Sequence, residues 1–386
     1  MFQVTSRDRQ SEARAGILQT AHGAVRTPAF MPVGTQGTVK TLTVQDLIQC
    51  GIEMVLGNVY HLSLRPGQEI LQAAGGLHRF MGWDRAILTD SGGYQVFSLA
   101  AKAKVTDEGV VFASHVDGSL HRLTPESVIE FQLAIGSDVV IPLDECVRFP
   151  CERPQAEEGV RRTAHWAERS RRTFCREIAS PAEGTLAMPE RPLLFGIVQG
   201  ATYPDLRRQA AERILEMGFD GYAIGGFSVG EPKELLFDLL PGVTERLPQE
   251  RPRYLMGMGE PLDLVEAVQV GVDLFDCVIP TRHGRNGVAY TWAGRLNLRN
   301  AAFARDPRPV DPECACEACR GYSRMYLRHL FQVEEILALR LLSFHNVWFY
   351  STLMARIRQA VADGNLDQLH AALKPAYQET LEGLVG

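Results

Sequence analysis

The sequence lacks both a long apolar run and an excess of positive charge. Its apolar stretches fall short of the roughly 18 residues that a membrane-spanning helix needs, and no apolar region follows a basic one at the N-terminus. We therefore predict a soluble, cytoplasmic protein that has no membrane partner. The formal net charge of -6 argues against a general nucleic-acid binder, because phosphate binding draws on a surplus of Lys and Arg. A local basic site is compatible with that charge.

Lysine is scarce as well. Only 5 of the 40 basic residues are Lys, and Arg is the residue better suited to bidentate contacts with phosphate. The arginines concentrate in three segments, 161–172, 282–285 and 320–328. Solvated helix faces are the simpler interpretation of the first and last segments. The middle segment is therefore the better candidate for a phosphate contact.

Cysteine is sparse, with 8 in 386 residues, and a chain of this length does not need a disulfide framework. Three cysteines nevertheless form a C-x-C-x2-C cluster, and a histidine follows downstream. Three thiolates and one imidazole satisfy a tetrahedral Zn²⁺ and leave no position for an activated water. We predict one structural zinc per chain, held by Cys314, Cys316, Cys319 and His345. Reduced buried cysteines beside an unrelated histidine are the alternative.

Apolar runs that end in a polar residue or Gly and lead into a helical pattern occur eight times, which is typical of βα repetition. The runs are 30–33, 54–58, 87–90, 139–144, 194–199, 222–226, 254–257 and 274–276. Eight such units predict an α/β fold, a (β/α)8 TIM barrel, in which chemistry sits at the C-terminal ends of the strands. An open, doubly wound sheet is the alternative.

Several connections carry recognisable helix signals. Residues 204–217 and 261–270 have helical periodicity, and Gly218 and Gly271 stand where these helices should stop. Residues 110–120 alternate around an Asp-Gly pair and predict a hairpin inserted after the third barrel strand. Thr124 and Pro125 predict the start of the next helix.

These signals predict two domains. Residues 1–299 would form the catalytic barrel with an N-terminal hairpin and the insertion after its third strand. Residues 300–386 would form a zinc-binding helical subdomain packed on the barrel, with helices at 322–342 and 346–363.

Two carboxylates at the barrel mouth carry the predicted chemistry. Asp90 lies in an Asp-Ser-Gly-Gly-Tyr-Gln run and Asp276 lies in an apolar strand, where a carboxylate must be paired or functional. One nucleophile and one general acid/base would suit substitution at a sugar carbon. An Asx turn at Asp90, and a structural ion pair between Asp276 and Arg282 or Arg285, are the alternatives.

The groups between these carboxylates match the edge of a guanine. Asp144 can accept from a pair of N–H groups, Gln199 can donate to a carbonyl oxygen, and the backbone at Gly225 and Gly226 can come close to a ligand. Tyr94 and Met256 could cover the two faces of the base, although a Met at a strand end more often packs in the core.

The whole chain resembles tRNA-guanine transglycosylases, specifically the bacterial ones. The resemblance rests on runs that begin at Asn58, Asp90, Gly196, Gly225, Tyr254 and Phe275, in that order, and on the zinc cluster. It implies replacement of the guanine at the anticodon wobble position of G-U-N tRNAs by 7-aminomethyl-7-deazaguanine, a step of queuosine biosynthesis, in a homodimer. It also implies that Asp276 is the nucleophile, which forms a covalent aspartyl-tRNA intermediate, and that Asp90 is the general acid/base.

The same resemblance implies the remaining site residues. Those expected to bind the base are Ser91, Gly92, Gly93, Tyr94, Asp144, Gln199, Gly226 and Met256. Those expected to bind tRNA are Gly257, Met258, Gly259, Glu260, Pro261, Leu262, Asp263, Thr281, Arg282, His283, Gly284 and Arg285.

Three other functions compete with this one. They are exchange of queuine or an archaeosine precursor on the same scaffold, a barrel glycosidase, and a non-catalytic RNA-binding subunit. Val229 and Cys146 resemble bacterial members of the family, whereas Phe227 and Val198 depart mildly from its pattern and affect the expected base preference. A non-catalytic subunit would be expected to lose the nucleophile, and Asp276 is present.

Overall fold

The computed structural model describes residues 2–99, 103–181, 188 and 190–378. The strands in these residues, in chain order, are β1 (Phe2–Arg7), β2 (Arg14–Thr20), β3 (Gly23–Thr27), β4 (Ala29–Pro32), β5 (Met54–Asn58), β6 (Ala86–Asp90), β7 (Ala103–Thr106), β8 (Gly109–Ala113), β9 (Leu120–Leu123), β10 (Val139–Val140), β11 (Leu193–Val198), β12 (Gly221–Ile224), β13 (Arg253–Leu255), β14 (Leu274–Cys277), β15 (Val288–Thr291) and β16 (Gly294–Asn297).

The helices fill most of the connections between these strands. They are α1 (Val44–Gln49), α2 (Val59–Leu64), α3 (Gln68–Ala73), α4 (Leu77–Met81), α5 (Gly93–Leu99), α6 (Pro125–Ala134), α7 (Arg153–Ala179), α8 (Pro204–Met217), α9 (Lys233–Thr244), α10 (Pro261–Gln269), α11 (Ile279–Arg285), α12 (Glu317–Gly321), α13 (Arg324–Gln332), α14 (Ile336–Asp363) and α15 (Leu366–Gln378), with a 3-10 turn at Ala301–Phe303. No helix among the described residues is long and apolar enough to cross a membrane.

Eight parallel strands form the predicted barrel. Their order is β4-β14-β13-β12-β11-β10-β6-β5, and a parallel bridge between Val33 and Leu56 joins the two ends. The Gly34 amide donates to the carbonyl of Leu56 across this closure at 2.7 Å. The sheet is thus a barrel, and the alternative of an open doubly wound sheet is wrong. The fourth predicted strand is much shorter than expected, because only Val139–Val140 pair with their neighbours.

The glycine and capping signals act as the sequence predicts. Helix α8 covers Pro204–Met217, and Gly218 ends it with a φ of 74°. Helix α10 ends at Gln269, and Gly271 follows with a φ of 90°. Thr124 caps α6, since its hydroxyl accepts a hydrogen bond from the Ser127 amide at 3.1 Å. The insertion after the third barrel strand is a three-stranded antiparallel sheet, β7-β8-β9, whose β8-β9 hairpin turns at the predicted Asp-Gly pair.

The N-terminal segment is an antiparallel sheet of β1, β2 and β3, one strand more than the expected hairpin. At the other end of the chain, the predicted break between two helices at residues 343–345 is wrong. Helix α14 runs unbroken through this segment, and the interruption lies instead at Glu334, which has a φ of 58°.

The physical reason is that the polar residues of this segment are satisfied inside the protein. The Asn346 side chain accepts from the Tyr290 amide at 3.0 Å and donates to the Pro280 carbonyl at 2.9 Å. Helix α14 also packs closely along α11, where a Cβ added at Gly284 would lie 2.7 Å from Ser343 Cα. Polar residues with such partners can stay in a buried helix.

Candidate active site and metal centre

A cavity of about 590 Å³ opens at the C-terminal ends of the barrel strands, where this fold places its chemistry. Its volume suits a small molecule. The expected site residues that line it are Asp90, Tyr94, Asp144, Gln199, Gly226, Met256, Gly257, Asp276, Thr281, Arg282 and Arg285. Ser91, Gly92 and Gly93 follow Asp90 in the chain and are buried, and they are not among the residues that line the cavity. The structure therefore gathers residues from distant parts of the sequence at one mouth.

Asp276 lies in β14 and is held by two hydrogen bonds to one of its oxygens. The Tyr254 hydroxyl donates to Oδ1 at 2.6 Å, and the Gly257 amide donates to the same atom at 2.8 Å. Neither Arg282 nor Arg285 forms an ion pair with it, so the structural pairing considered from the sequence is wrong. Burial raises the pKa of Asp276, and the two hydrogen bonds oppose that rise. The bonds hold Oδ1 in place, whereas Oδ2 accepts no hydrogen bond from the residues that the structure describes, and Asp276 lines the cavity.

Asp90 ends β6 and is buried beside two other carboxylates. Its Oδ2 accepts a hydrogen bond from the Asn58 amide at 3.0 Å. Burial raises the pKa of Asp90 to about 7, and the charges of Asp144 and Asp276 add to this rise. A carboxyl group with this pKa exchanges protons near neutral pH, which suits a general acid/base. Backbone amides of Ser91 and Gly92 also donate to Asp90 and oppose the rise, so the local turn considered from the sequence is present together with the raised pKa.

Asp144 and Gln199 form one hydrogen-bonded edge of the cavity. The Gln199 amide donates to Asp144 Oδ2 at 2.7 Å, and the Ser91 hydroxyl lies 3.4 Å from Oδ1. Burial raises the pKa of Asp144 to about 6, although both hydrogen bonds oppose the change. Gly93 passes so close that a Cβ there would lie 2.8 Å from Asp144 Oδ1. Only glycine at this position allows Asp144 to reach its place.

The loop after β12 brings backbone to the same edge. Gly226 has a φ of 68°, and a Cβ there would lie 2.3 Å from Gln199 Oε1. The Gly225 amide is already bonded to the Val198 carbonyl at 3.1 Å, so the sequence-based expectation that both glycines offer an N–H group applies only to Gly226. Arg207 holds this loop through hydrogen bonds to its backbone.

The Arg207 guanidinium donates to the carbonyls of Gly225 and Gly226 at 3.1 and 3.0 Å. It also lies 3.4 Å from the ring centroid of Phe227. Burial lowers the pKa of Arg207 to about 9. Phe227, one of the two departures from the family pattern, thus lines the cavity as one face of a buried cation–π contact, whereas Val198 is buried in β11.

The two residues expected to cover the faces of a bound base come from different elements. Tyr94 projects from α5 with 47% of its surface exposed, and Met256 follows β13 and is half-buried. Both line the cavity. An exposed aromatic ring at the rim of a polar cavity is available for stacking on a flat ligand.

The segments expected to bind tRNA divide into exposed and buried positions. Gly257 and Arg282 are exposed, and Glu260, Leu262, His283 and Arg285 are half-buried. Met258, Gly259, Pro261, Asp263, Thr281 and Gly284 are buried. Glu260 pairs with Arg295 at 3.0 Å, and Asp263 pairs with Lys233 at 2.8 Å. One guanidinium nitrogen of Arg285, Nη1, is buried and makes no hydrogen bond among the described residues.

The four expected metal ligands meet beside the barrel. His345 Nδ1 lies 3.7, 3.5 and 3.3 Å from the sulfurs of Cys314, Cys316 and Cys319, and all four donor atoms are within 4.8 Å of one another. A tetrahedral Zn²⁺ with ordinary Zn–S and Zn–N bonds separates sulfur from nitrogen by about 3.6 Å. His345 Nε2 donates to the Tyr290 carbonyl at 2.8 Å, which leaves Nδ1 free to bind a metal. The cluster therefore fits a closed metal site.

Comparisons with known proteins agree with this geometry. Residues 8–379 match the family model described as queuine tRNA-ribosyltransferase. The queuine tRNA-ribosyltransferase of Moorella thermoacetica is 51% identical over 376 residues, which cover 97% of this chain and 97% of that protein. The one from Caulobacter vibrioides is 52% identical over 368 residues, or 95% of each chain. The one from Caldanaerobacter subterraneus is 51% identical over 365 residues, which cover 95% of this chain and 94% of that protein.

The chain belongs to the queuine tRNA-ribosyltransferase family. The family resemblance stated from the sequence motifs is thus confirmed, and so is the α/β barrel with a Cys3His cluster beside it.

For a queuine tRNA-ribosyltransferase family member, the structure adds contacts to which the sequence analysis gave no role. Tyr254 and Asn58 hold the two carboxylates, and Arg207 holds the base-edge loop. A polar side chain at the end of an apolar strand, as at Asn58, could have been noticed as a signal. Nothing local marks Tyr254 or Arg207, because their partners are 22 and 18 to 19 residues away.

Proposed function

We propose that this protein replaces a guanine in the anticodon of tRNA by another purine-like base through a covalent intermediate on Asp276. The observation that carries this proposal is the arrangement of three carboxylates around one cavity, where Asp90 and Asp144 are buried and Asp276 is half-buried. One of them is fixed through a single oxygen, one has a pKa of about 7, and one is paired with an amide. Each of these settings suits a different role in base exchange.

In the first step, Asp276 Oδ2 attacks C1′ of the guanosine, and the bond from C1′ to N9 of the base breaks. The electron pair of that bond leaves with guanine, and Asp90 donates a proton to the departing base. The tRNA is then joined to the enzyme by an ester between C1′ and Asp276. The hydrogen bonds from Tyr254 and Gly257 favour the anionic form of Asp276, which is the form that attacks.

In the second step, the ionised Asp90 takes the proton from the incoming base, which attacks C1′ and releases Asp276 as a carboxylate. The bonds broken and formed are nearly equivalent, so no nucleotide triphosphate is needed. Because the first base leaves before the second base reacts, the kinetics are ping-pong.

The base is recognised through its hydrogen-bonding edge. Asp144 accepts from N1–H and the 2-amino group, while the Gln199 amide and the Gly226 N–H donate to the carbonyl oxygen. Tyr94 and Met256 enclose the two faces. We propose 7-aminomethyl-7-deazaguanine as the incoming base, since it keeps this edge. Support comes from Cys146 and Val229, which line the cavity and resemble bacterial members of the family.

The tRNA meets the enzyme at the rim of the cavity, in the single-stranded loop of a G-U-N anticodon. Extraction of one base from its stack is affordable there. The exposed Arg282 and the half-buried Arg285, which both line the cavity, favour a phosphate contact at this rim. The other exposed or half-buried positions of segments 257–263 and 281–285 surround the contact.

The remaining sequence-based expectations stand as parts of the same proposal. Residues 1–299 form the catalytic barrel and residues 300–386 a zinc-binding subdomain, in which Zn²⁺ at Cys314, Cys316, Cys319 and His345 supports folding and takes no part in the chemistry. The enzyme works in the cytoplasm as a homodimer. The exposed Tyr326 and its neighbour Tyr322, whose rings stack with centroids 5.6 Å apart, support an aromatic contact between two copies.

The test is incorporation of radiolabelled guanine into an unmodified G-U-N tRNA, followed by a chase with 7-aminomethyl-7-deazaguanine. The wild type is expected to incorporate the label and to lose it in the chase, and Asp276→Asn is expected to do neither. Asp238→Asn, an exposed carboxylate on α9, is the matched control and should behave as the wild type.

Three results would contradict the proposal. If the wild type binds the tRNA but incorporates nothing, the protein is an RNA-binding subunit. If the wild type releases guanine without taking up the label and leaves an abasic site, the cavity serves hydrolysis. Incorporation by Asp276→Asn at the wild-type rate would remove Asp276 from the mechanism.

A further inference from the structure

A second group of metal-ligating side chains lies at the opposite end of the barrel from the base cavity. Asp138, which is fully buried, directly precedes β10. His22, in the turn between β2 and β3, places Nδ1 2.9 Å from Asp138 Oδ1. His78, on α4, places Nε2 3.0 Å from Asp138 Oδ2. Three separate elements of the fold thus converge on one carboxylate.

The arrangement of the two imidazoles is unusual for a simple hydrogen-bonded pair. Their rings stack face to face, with centroids 3.6 Å apart and planes at 18°. Two neutral imidazoles that direct ring nitrogens at the same carboxylate form a donor set of two nitrogens and one oxygen. The three donor atoms all lie within 4.8 Å of one another.

This donor set fits a divalent ion of the first transition row. Tetrahedral zinc with ordinary bonds to nitrogen and oxygen separates two such ligands by about 3.4 Å. The present separations of 2.9 and 3.0 Å need to widen by a few tenths of an ångström, and the two stacked rings need to tilt apart so that both in-plane lone pairs point at one ion. The His22 side chain is 25% exposed, so one edge of the cluster is open to an ion and to a water molecule as a fourth ligand.

The surroundings hold the ligands in place. Asp138 also accepts hydrogen bonds from the backbone amides of His22 and Ile87 at 3.0 and 2.8 Å, which orient its carboxylate as outer partners orient ligands in metal sites. His78 Nε2 also lies 3.1 Å from the Arg85 carbonyl oxygen. When an ion binds, each imidazole gives up the hydrogen that it directs at these oxygens and carries one on its other nitrogen. The cluster contains no thiolate, which favours Zn²⁺ and its neighbours over softer ions.

We propose that His22, His78 and Asp138 form a second metal site, which binds Zn²⁺ or a similar divalent ion and joins the N-terminal sheet and α4 to the base of the barrel. This site is separate from the Cys3His cluster, and it does not depend on the proposed base exchange. Its role is structural, because it lies at the N-terminal ends of the strands, away from the cavity.

The experiment counts zinc per chain by equilibrium dialysis against Zn²⁺ and elemental analysis, beginning with protein that holds one zinc in the Cys3His cluster. We expect two zinc ions per chain in the wild type and one in His22→Gln and in His78→Gln. His165→Gln, which removes an exposed histidine from α7, is the matched control and should keep two. Glutamine at residue 22 can still donate to Asp138, so this variant is expected to fold even if His78→Gln does not.

A second readout separates the two sites. Co²⁺ added to the zinc-loaded wild type should give the weak visible absorption of nitrogen and oxygen ligands, without the strong thiolate-to-metal band of the cysteine cluster. The thermal midpoint should rise with Zn²⁺ concentration in the wild type and the control, and not in His22→Gln. A wild type that stays at one zinc per chain overturns the proposal. So does a His22→Gln variant that still binds two.

Discussion

Asp90→Asn is expected to be more stable than the wild type, by an amount that grows as the pH rises. The same change should remove the general acid/base. Burial and two neighbouring carboxylates raise the pKa of Asp90 from its ordinary 3.8 to about 7. Between these two values the folded protein keeps a proton that the unfolded chain releases. The wild type therefore loses stability as the pH rises from about 4 to about 7, whereas an Asn at this position has no proton to lose.

The size of the effect follows from the two pKa values. Above pH 7, a pKa of about 7 against 3.8 corresponds to about 4 kcal/mol in favour of the Asn variant. At pH 5 the same linkage gives about 2 kcal/mol. For a chain of 386 residues, 4 kcal/mol raises the thermal midpoint by about 5 °C. The Asn58 amide can still donate to the oxygen of the new side chain, and the backbone amides of Ser91 and Gly92 that donate to Asp90 then share this single acceptor oxygen.

The assay is thermal and urea unfolding of zinc-loaded protein at several pH values from 5 to 8. The difference between Asp90→Asn and the wild type should grow with pH, and Asp238→Asn on the exposed face of α9 should show no such growth. A difference that is the same at pH 5 and pH 8, or an Asn variant that is less stable at pH 8, would refute the reasoning. Either result would mean that Asp90 is not a strained, partly protonated carboxyl group.

Three further perturbations have definite expected outcomes. Tyr254→Phe removes the O–H donor to Asp276 at 2.6 Å, so the pKa of Asp276 rises and the acidic limb of the pH–rate profile moves up by roughly one to two pH units. Gly226→Ala places a Cβ 2.3 Å from Gln199 Oε1, so binding of free guanine, measured by calorimetry, should fall at least tenfold with little loss of secondary structure. Cys316→Ser removes a buried ligand of the metal cluster, so the zinc content should fall by about one ion per chain and the thermal midpoint should drop.

Each of these variants has a control in the same chain. Tyr203→Phe removes a hydroxyl that donates to the Cys151 carbonyl at 3.0 Å outside the cavity. Gly242→Ala adds a Cβ that meets no atom within 4 Å, and Cys175→Ser changes an exposed cysteine on α7. An unchanged pH profile in Tyr254→Phe would show that the hydroxyl does not tune Asp276. Guanine binding that survives in Gly226→Ala would show that Gln199 does not define the base edge. Full zinc content in Cys316→Ser would show that this cluster does not bind the zinc.

The barrel was predictable because its strands are continuous apolar runs that each end in a polar residue or glycine. Runs of this kind are typical of parallel strands buried on both faces. Glycines at positive φ, such as Gly218 and Gly271, are local signals, and they correctly predicted two helix ends. The unbroken α14 was not predictable in the same way, because His345 and Asn346 are satisfied by Tyr290 and Pro280, whose positions depend on the whole fold.

The residues of the candidate site were also predictable only in part. The candidate carboxylates were visible because charge is rare in buried strands, and the cysteine cluster was visible from its spacing alone. Their partners were not visible, since Tyr254 and Asn58 reach Asp276 and Asp90 from neighbouring strands. The cluster of His22, His78 and Asp138 spans 116 residues of sequence, and only the folded barrel brings its members together.

The central claim is that Asp276 becomes covalently bonded to the tRNA during the reaction. The most direct measurement is to mix enzyme with a G-U-N tRNA, denature the mixture in acid, and identify the cross-linked peptide by mass spectrometry after nuclease and protease digestion. The account predicts a ribosyl ester on Asp276 in the wild type, which disappears when guanine is added before quenching, and no ester in Asp276→Asn. An ester on Asp90, or exchange of labelled guanine in the wild type with no protein-bound RNA at any time, would contradict it.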